Sequence, residues 1–444
     1  MSRNLYREQK FSPLVRKMQS LKAENICCRL MIETDGRSLD RVISIIESNK
    51  GKVQRKIHMM PLMVAELPLP GLGALAGSRH VIKIWDDVPV HVVLEQSFPE
   101  IRNTRVQELG YTGKGAVVAL LDTGIYPHED LITPYNRILA WNDLIHQKNA
   151  PYDDNGHGTH IAGIIAGNGI TADGKYKGLA PDARLVGIKV LNQEGSGFTS
   201  DVISGIEWCL DNFSTLNTRV INLSFSTIIQ GSPDADPLCR AAVIAWRKGV
   251  IVCKAAGDTR PCFTTINIGN PIRGEVLVGN LNEQQTLTNQ ELCPELKKRQ
   301  RPSSVVKPDL VAPGMEITSL GTDGGYATLS GTSIATAFIS GAAALILQKW
   351  PHYNPDQVKH LLLKKAGDLG LGVDLQGVGI LDLEKIFNLG KRRNVLISRN
   401  SNQNPNNALM QMILNMMSQN PGLQQKASQF IVKGLLSLVN NFRE

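Results

Sequence analysis

Along the middle of the chain, short and nearly all-apolar runs alternate with longer stretches whose apolar positions repeat at helical spacing. AVVALLDTG, RLVGIKVL, RVINLSF, GVIVCKAAG and GEVLVGNL are the short runs, and they predict strands. HGTHIAGIIAG, TSDVISGIEWCLDNF, PLCRAAVIAWRKG and TSIATAFISGAAALILQKW predict the helices between and after them. Strands apolar on both faces belong to a parallel sheet covered by helices on both sides, so residues 96–388 are predicted to form one large α/β domain. Residues 1–95 alternate differently. CCRLMIE, MMPLMVAEL, HVIKIWDD and VPVHVVL predict strands, and SLDRVISIIESN a helix with Ser38 as its N-cap, giving a small α/β unit. GLGALAG is a GxGxxxG with no acidic residue spaced for a ribose, so it is not read as a dinucleotide loop. Residues 389–444 read as a linker, RNSNQNPNN, followed by two amphipathic helices, with Met410, Met412, Met416 and Met417 expected to pack against protein.

With 444 residues the chain exceeds one ordinary core, and its 42% apolar content is that of a globular protein. The net charge of +8 is partly local, in KKRQR at 297–301 and KRR at 391–393. Such runs read as solvated loops, and no interleaved aromatics support a nucleic-acid partner. MSRNLYREQKFSPLVRK lacks the apolar stretch of a secretory signal, and no apolar run reaches the roughly 18 residues a membrane span needs. The seven cysteines are odd in number, with Cys27 and Cys28 adjacent and no CxxC pair. Free thiols in a reducing, cytoplasmic setting are expected, and zinc is not.

Three stretches carry candidate chemistry. VVALLDTG ends a strand in Asp122 and Gly124, where α/β sheets bind ligands, although a strand-end Asp is equally a turn former. In DDNGHGTHIAGIIAG, His157 stands between two glycines that leave its ring accessible. The HxxH of His157 and His160 lacks the spacing and the Glu of a helical zinc site, so His160 is expected to be structural. In YATLSGTSIATAF, Ser333 opens a long Ala- and Gly-rich helix, either as a plain cap or where N–H groups could meet a developing oxyanion. Together they supply what a serine nucleophile needs: a base, and a carboxylate to orient that base.

In this order, Asp122, His157, Ser333, the chain resembles the subtilisin-like serine proteases, the subtilase family. DTG, GHGTH and GTSIA carry the resemblance, with KGLAPDARLVGIKVL, VKPDLVAPG and QGVGILDL, over about residues 100–388. It implies a subtilisin-like α/β fold and a serine endopeptidase acting on protein or peptide substrates, with Ser333 as nucleophile, His157 as acid and base, and Asp122 orienting it. It also implies that residues 1–95 are a propeptide that assists folding and inhibits the mature enzyme, with processing near Leu94–Ser97. The propeptide without a secretion signal resembles the intracellular branch.

The resemblance also marks departures. The family places asparagine after AAG, as an oxyanion donor, where this chain has Asp258. An ionised carboxylate has no proton to donate and would repel the developing charge, whereas a protonated one could donate. The kexin-like branch includes members with Asp at this place. Ala255, Ala256 and Gly257 correspond to a wall of the pocket for the residue before the scissile bond. Ser224, Phe225 and Ser226 correspond to the strand that pairs with substrate, and Ser226 and Thr227 stand where the family has two glycines, which should narrow the groove. ELCPELKKRQRPSS replaces another familiar run. No cofactor is required by this chemistry; Asp130 resembles a calcium ligand of the family, but the loop with Asn168 and Asp173 is spaced differently and reads as solvated. Cys253 and Cys262 flank the Asp258 turn as inert thiols. The rival readings are a degenerate subtilase fold that binds peptides, and an esterase-like hydrolase, which lacks GxSxG.

Overall fold

The computed structural model describes residues 9–13, 15–16, 26–92, 104–227, 234–256, 275–280 and 308–389, with only the backbone at 104, 280, 374 and 375. Asp258, Gly257, Cys262, Leu94–Ser97, the 281–307 insertion and the expected C-terminal helices lie outside the described residues.

Seven strands form the main sheet: β6 (Val117–Asp122), β7 (Ile138–Asp143), β8 (Arg184–Lys189), β10 (Val220–Leu223), β12 (Ile251–Ala255), β13 (Val276–Asn280) and β14 (Leu310–Ala312). Their order is β14-β13-β12-β10-β6-β8-β7, and every pairing is parallel. Strand β6, wholly buried, shows why an all-apolar run is needed. Val118 and Leu120 enter one core, with helices α3 (His157–Ala166) and α6 (Thr332–Lys349). Val117, Ala119 and Leu121 enter the other, with α4 (Thr199–Asp211) and α5 (Pro237–Arg247). Among the described residues, α6 alone is long and apolar enough to cross a membrane, and it is a buried core helix packed by Ala, Gly and Ser.

The N-terminal unit is a four-stranded antiparallel sheet, β2-β3-β1-β4, from β1 (Cys27–Thr34), β2 (Lys52–Ile57), β3 (Leu62–Pro68) and β4 (Val81–Asp86). Leu30, Ile32, Met63, Ala65 and Leu67 face α1 (Leu39–Ser48) and α2 (Leu72–Gly77). Met31, Leu62, Val64 and Trp85 face the other way and join the apolar core of α4 and α5. GLGALAG forms a short 3-10 turn and α2, so it offers no phosphate loop. Ser38 occupies the N-cap of α1, but its side chain caps nothing, contrary to expectation. Strand β2, KVQRKI, is invisible to apolar periodicity because the residues before Ile57 are charged, polar or half-exposed.

Polar contacts ring this interface. Arg29 pairs with Asp87 at 2.6 Å and with Asp201 at 3.3 Å, and Arg55 with Asp201 at 3.1 Å. Glu207 of α4 accepts from the N–H groups of His58 and Met59. The N-cap of α4 is Phe198, which has no side-chain acceptor. The N-terminal unit replaces it: Thr199 N–H donates to the Val88 carbonyl at 3.0 Å, and Ser200 N–H to Asp87 Oδ1 at 2.9 Å. An acidic group at a helix N-terminus also meets the helix dipole favourably. Asp87→Ala is expected to cost about 1–3 kcal/mol, since it removes a cap and leaves Arg29 short of its closest partner. Chemical denaturation of the full chain measures it; an unchanged midpoint would show the cap to be unimportant.

Candidate active site

Strand β6 delivers Asp122 to the C-terminal edge of the sheet, and the turn Thr123–Gly124 follows. Asp122 Oδ1 accepts from Thr123 N–H at 2.8 Å and faces His157 Nδ1 at 2.7 Å. Both side chains are 1% exposed, so this is a buried charge-assisted pair. In the neutral ring, Nδ1 therefore carries the proton and Nε2 the lone pair. Among the described residues, Nε2 has no hydrogen-bond partner.

The loop before His157 is shaped by one carboxylate. Asp153 Oδ1 accepts from the Asn155 and Gly156 N–H groups, and Oδ2 from the Thr159 N–H and hydroxyl. Gly156 takes φ +104°, the left-handed region, just before the helix begins. Gly158 meets the turn after Asp122 so closely that a Cβ there would strike the Gly124 carbonyl. Its N–H donates to Thr123 Oγ1 at 2.9 Å. Small residues on both sides let helix α3 dock on the end of β6.

Ser333 is fully buried in the first turn of α6, whose cap position is Gly331, so it is not the N-cap. Its carbonyl accepts from Ser224 Oγ at 2.9 Å; Ser224 Oγ in turn accepts from Asn222, and Asn222 Oδ1 from Ser340. Because β10 lies beside β6 in register, with Leu223 opposite Leu121, this ties Ser333 to the sheet edge that carries Asp122. Helices α3 and α6 pack against one another. The three predicted residues thus gather at one edge of the sheet.

His160, one turn after His157, is wholly buried, and Nε2 donates to the Ile317 and Ala327 carbonyls at 2.9 and 3.1 Å. Burial, and then the charge of His157, push its imidazole down to about 3. It is the structural histidine expected from the sequence, and it links α3 to the hairpin of β15 (Ile317–Leu320) and β16 (Tyr326–Leu329).

A second small sheet crosses the site. Strand β5 (Pro89–His91), directly after the N-terminal unit, lies between β9 (Ser196–Phe198) and β11 (Ser226–Thr227), antiparallel to both. Ser226 is opposite His91 and Gly197 opposite Val90, and Val92 N–H donates to the Gly195 carbonyl at 3.0 Å. Val90 is fully buried, within the same apolar cluster as Leu191, Ile203 and Phe225. Phe225 therefore lines the core under the strand, while Ser226 and Thr227 stand half-buried beside it. Ala255 is buried opposite Val278, and Ala256 N–H donates to the Val278 carbonyl. Sequence reasoning missed β9; its signal was GSG, since glycines in a strand admit a neighbouring chain.

Asp130 does not fit a calcium site. Oδ1 accepts from the Thr171 N–H and hydroxyl, and Oδ2 from the Tyr326 hydroxyl at 2.7 Å. Donors surround it where a cation needs acceptors. Asn168 bonds to the Thr133 carbonyl instead, and among the described residues no group of three or more His, Cys, Asp or Glu is placed to hold a metal.

Residues 113–389 match the subtilase family model. The chain belongs to the subtilase family of serine endopeptidases. It is 35% identical to serine protease AprX of Bacillus subtilis over 340 residues, 71% of this chain and 76% of that protein. Subtilisin DY of Bacillus licheniformis is 33% identical, covering 64% of this chain and 96% of its own. The fold is also that of fervidolysin from Fervidobacterium pennivorans, with a TM-score of 0.61 at 20% identity, over 85% of this chain and 62% of that one.

The buried His160 gives this subtilase a pH dependence of a definite sign. Its folded-state value lies below that of the unfolded chain, so the unfolded chain binds a proton that the folded one does not between about 3 and the ordinary histidine value of about 6.5. Stability from this group is full above about 6.5 and falls as pH drops. His160→Gln, which keeps a donor for the two carbonyls, is expected to flatten the acid loss of thermal midpoint by close to one proton's slope. An identical slope in the variant would show the burial to be immaterial.

Proposed function

We propose that this subtilase is made as a self-processing zymogen, in which Asp122, His157 and Ser333 cut the chain just after β5. The observation carrying the proposal is the seat of β5. It fills a strand-shaped groove as an extended substrate would, antiparallel to both walls, with Val90 in an apolar pocket. The antiparallel register leads the chain from His91 toward Ser224, and Ser224 is bonded to Ser333. The chain beyond Val92 therefore heads for the nucleophile, and hydrolysis is expected near Leu94–Ser97.

In this reading Ser333 Oγ attacks the carbonyl while His157 Nε2, whose lone pair is free, takes the proton. Asp122 stabilises the imidazolium, and His157 then protonates the leaving amine. First-turn N–H groups of α6 face the developing oxyanion. The N-terminal unit is the propeptide, and β5, as its product end, is the inhibitor. Substrates are expected to place an apolar side chain a few residues before the cut, in the place of Val90. Cys27, Cys28, Cys209, Cys239 and Cys253 are all free thiols, which supports a reducing, cytoplasmic setting.

N-terminal sequencing of the purified chain is expected to find a new terminus near Leu94–Ser97, absent from Ser333→Ala. An uncut wild type that ignores a fluorophosphonate probe would favour the rival reading, a peptide-binding pseudoprotease, for which Asp258 is the argument. Asp258→Asn separates the two further. In subtilisin, losing one oxyanion donor costs about 10²–10³ in rate. Restoring a donor is expected to raise kcat by a factor within that range at neutral pH. No gain would show that Asp258 is not a handicapped donor.

A further inference from the structure

Resting on this reading of Asp122 and His157, we infer that Lys189 is a positioning residue for the pair. Lys189 ends β8, in register opposite Asp122 at the end of β6. Its side chain is wholly buried. Nζ donates to the Thr123 carbonyl at 2.5 Å and pairs with Asp154 Oδ1 at 2.6 Å, and it lies 5.1 Å from the centre of the Tyr152 ring. Thr123 directly follows Asp122, and Asp154 stands three residues before His157. One amine therefore joins the two loops that carry the pair.

The backbone just past β8 holds the same turn, because the Val190 and Leu191 N–H groups both donate to the Asp122 carbonyl. Lys189 thus completes a cage around the Asp122–Thr123 peptide and ties it to the histidine loop. A buried ammonium is a costly way to fill space, and an apolar side chain of similar length folds as well or better. A methionine here would keep the volume and lose the tie. The role that remains for the amine is to hold two loops at the spacing that sets the 2.7 Å Asp122–His157 contact.

The test compares wild type, Lys189→Met, Asp154→Asn and the double variant, on the protein as purified, with a chromogenic peptide. Lys189→Met is expected to lower kcat about 10- to 100-fold, as misplacement of a base by up to an ångström does, with KM within about threefold. The double variant is expected to be no worse than Lys189→Met, since the tie is already cut. In parallel, the low-field proton resonance of His157 Nδ1–H is recorded on the full chain carrying Ser333→Ala, which cannot cut itself. It is expected to move or broaden in Lys189→Met. Unchanged kcat with an unmoved resonance would overturn the role, as would a loss shared with KM and a lower thermal midpoint. If wild type never hydrolyses peptide, the catalytic reading fails. The resonance then decides the tie alone: moved, it stands; unmoved, it falls.

Discussion

The site depends on a contact with no side chain in it. Gly158, at the start of α3, approaches the backbone of Gly124, just beyond β6, closer than any Cβ would allow. That approach brings a helix end and a strand end together, and His157 and Asp122 are the residues each presents there. Their 2.7 Å contact is a consequence. The glycine positions come first and the charges second. A buried carboxylate and imidazole without so close a backbone would have no reason to meet, and neither would be tolerated alone in an apolar core.

Around this contact, many polar side chains bond to backbone. Asp153 gathers three N–H groups and a hydroxyl to shape the histidine loop. His160 donates to two carbonyls to fix the helix to a hairpin. Ser224 reaches the carbonyl of Ser333. The first shapes a loop, the second joins a helix to a hairpin, and the third joins a helix to the end of β10. The result is a rigid frame from short side chains, with the larger apolar residues kept to the two cores on either face of the sheet.

Most of the main sheet was legible in the sequence because its strands are apolar on both faces, which periodicity detects. The site was legible because the glycines around His157 and the strand-end Asp122 leave a signature at short range. What escaped is what depends on partners distant in sequence. Strand β2 is charged outward and becomes a strand only because β3 pairs with it. Strands β9 and β11 are two or three residues long and exist because β5 lies between them. Asp130 resembles a calcium ligand in its motif, but its hydrogen-bond donors, Thr171 and Tyr326, stand 41 and 196 residues away. The Ser38 cap failed for the opposite reason: the residue type was right, but the local backbone gave its side chain no amide to accept.

The N-terminal unit and the groove are joined by very little chain, and that bears on how the proposed zymogen would work. Asp87 and Val88 supply the cap that α4 lacks, and Pro89, the next residue, already begins the strand in the groove. Capping the helix therefore delivers β5 to the site, with no slack between the two acts. Under the proposed reading, a cut after β5 leaves both contacts on the same fragment. The groove then cannot be vacated while the cap, the Arg29–Asp87–Asp201 cluster and the buried face of Met31 and Trp85 still hold. Release of activity would be governed by the strength of that interface rather than by the cut, and the same contacts that let α4 form would set how long the enzyme stays closed.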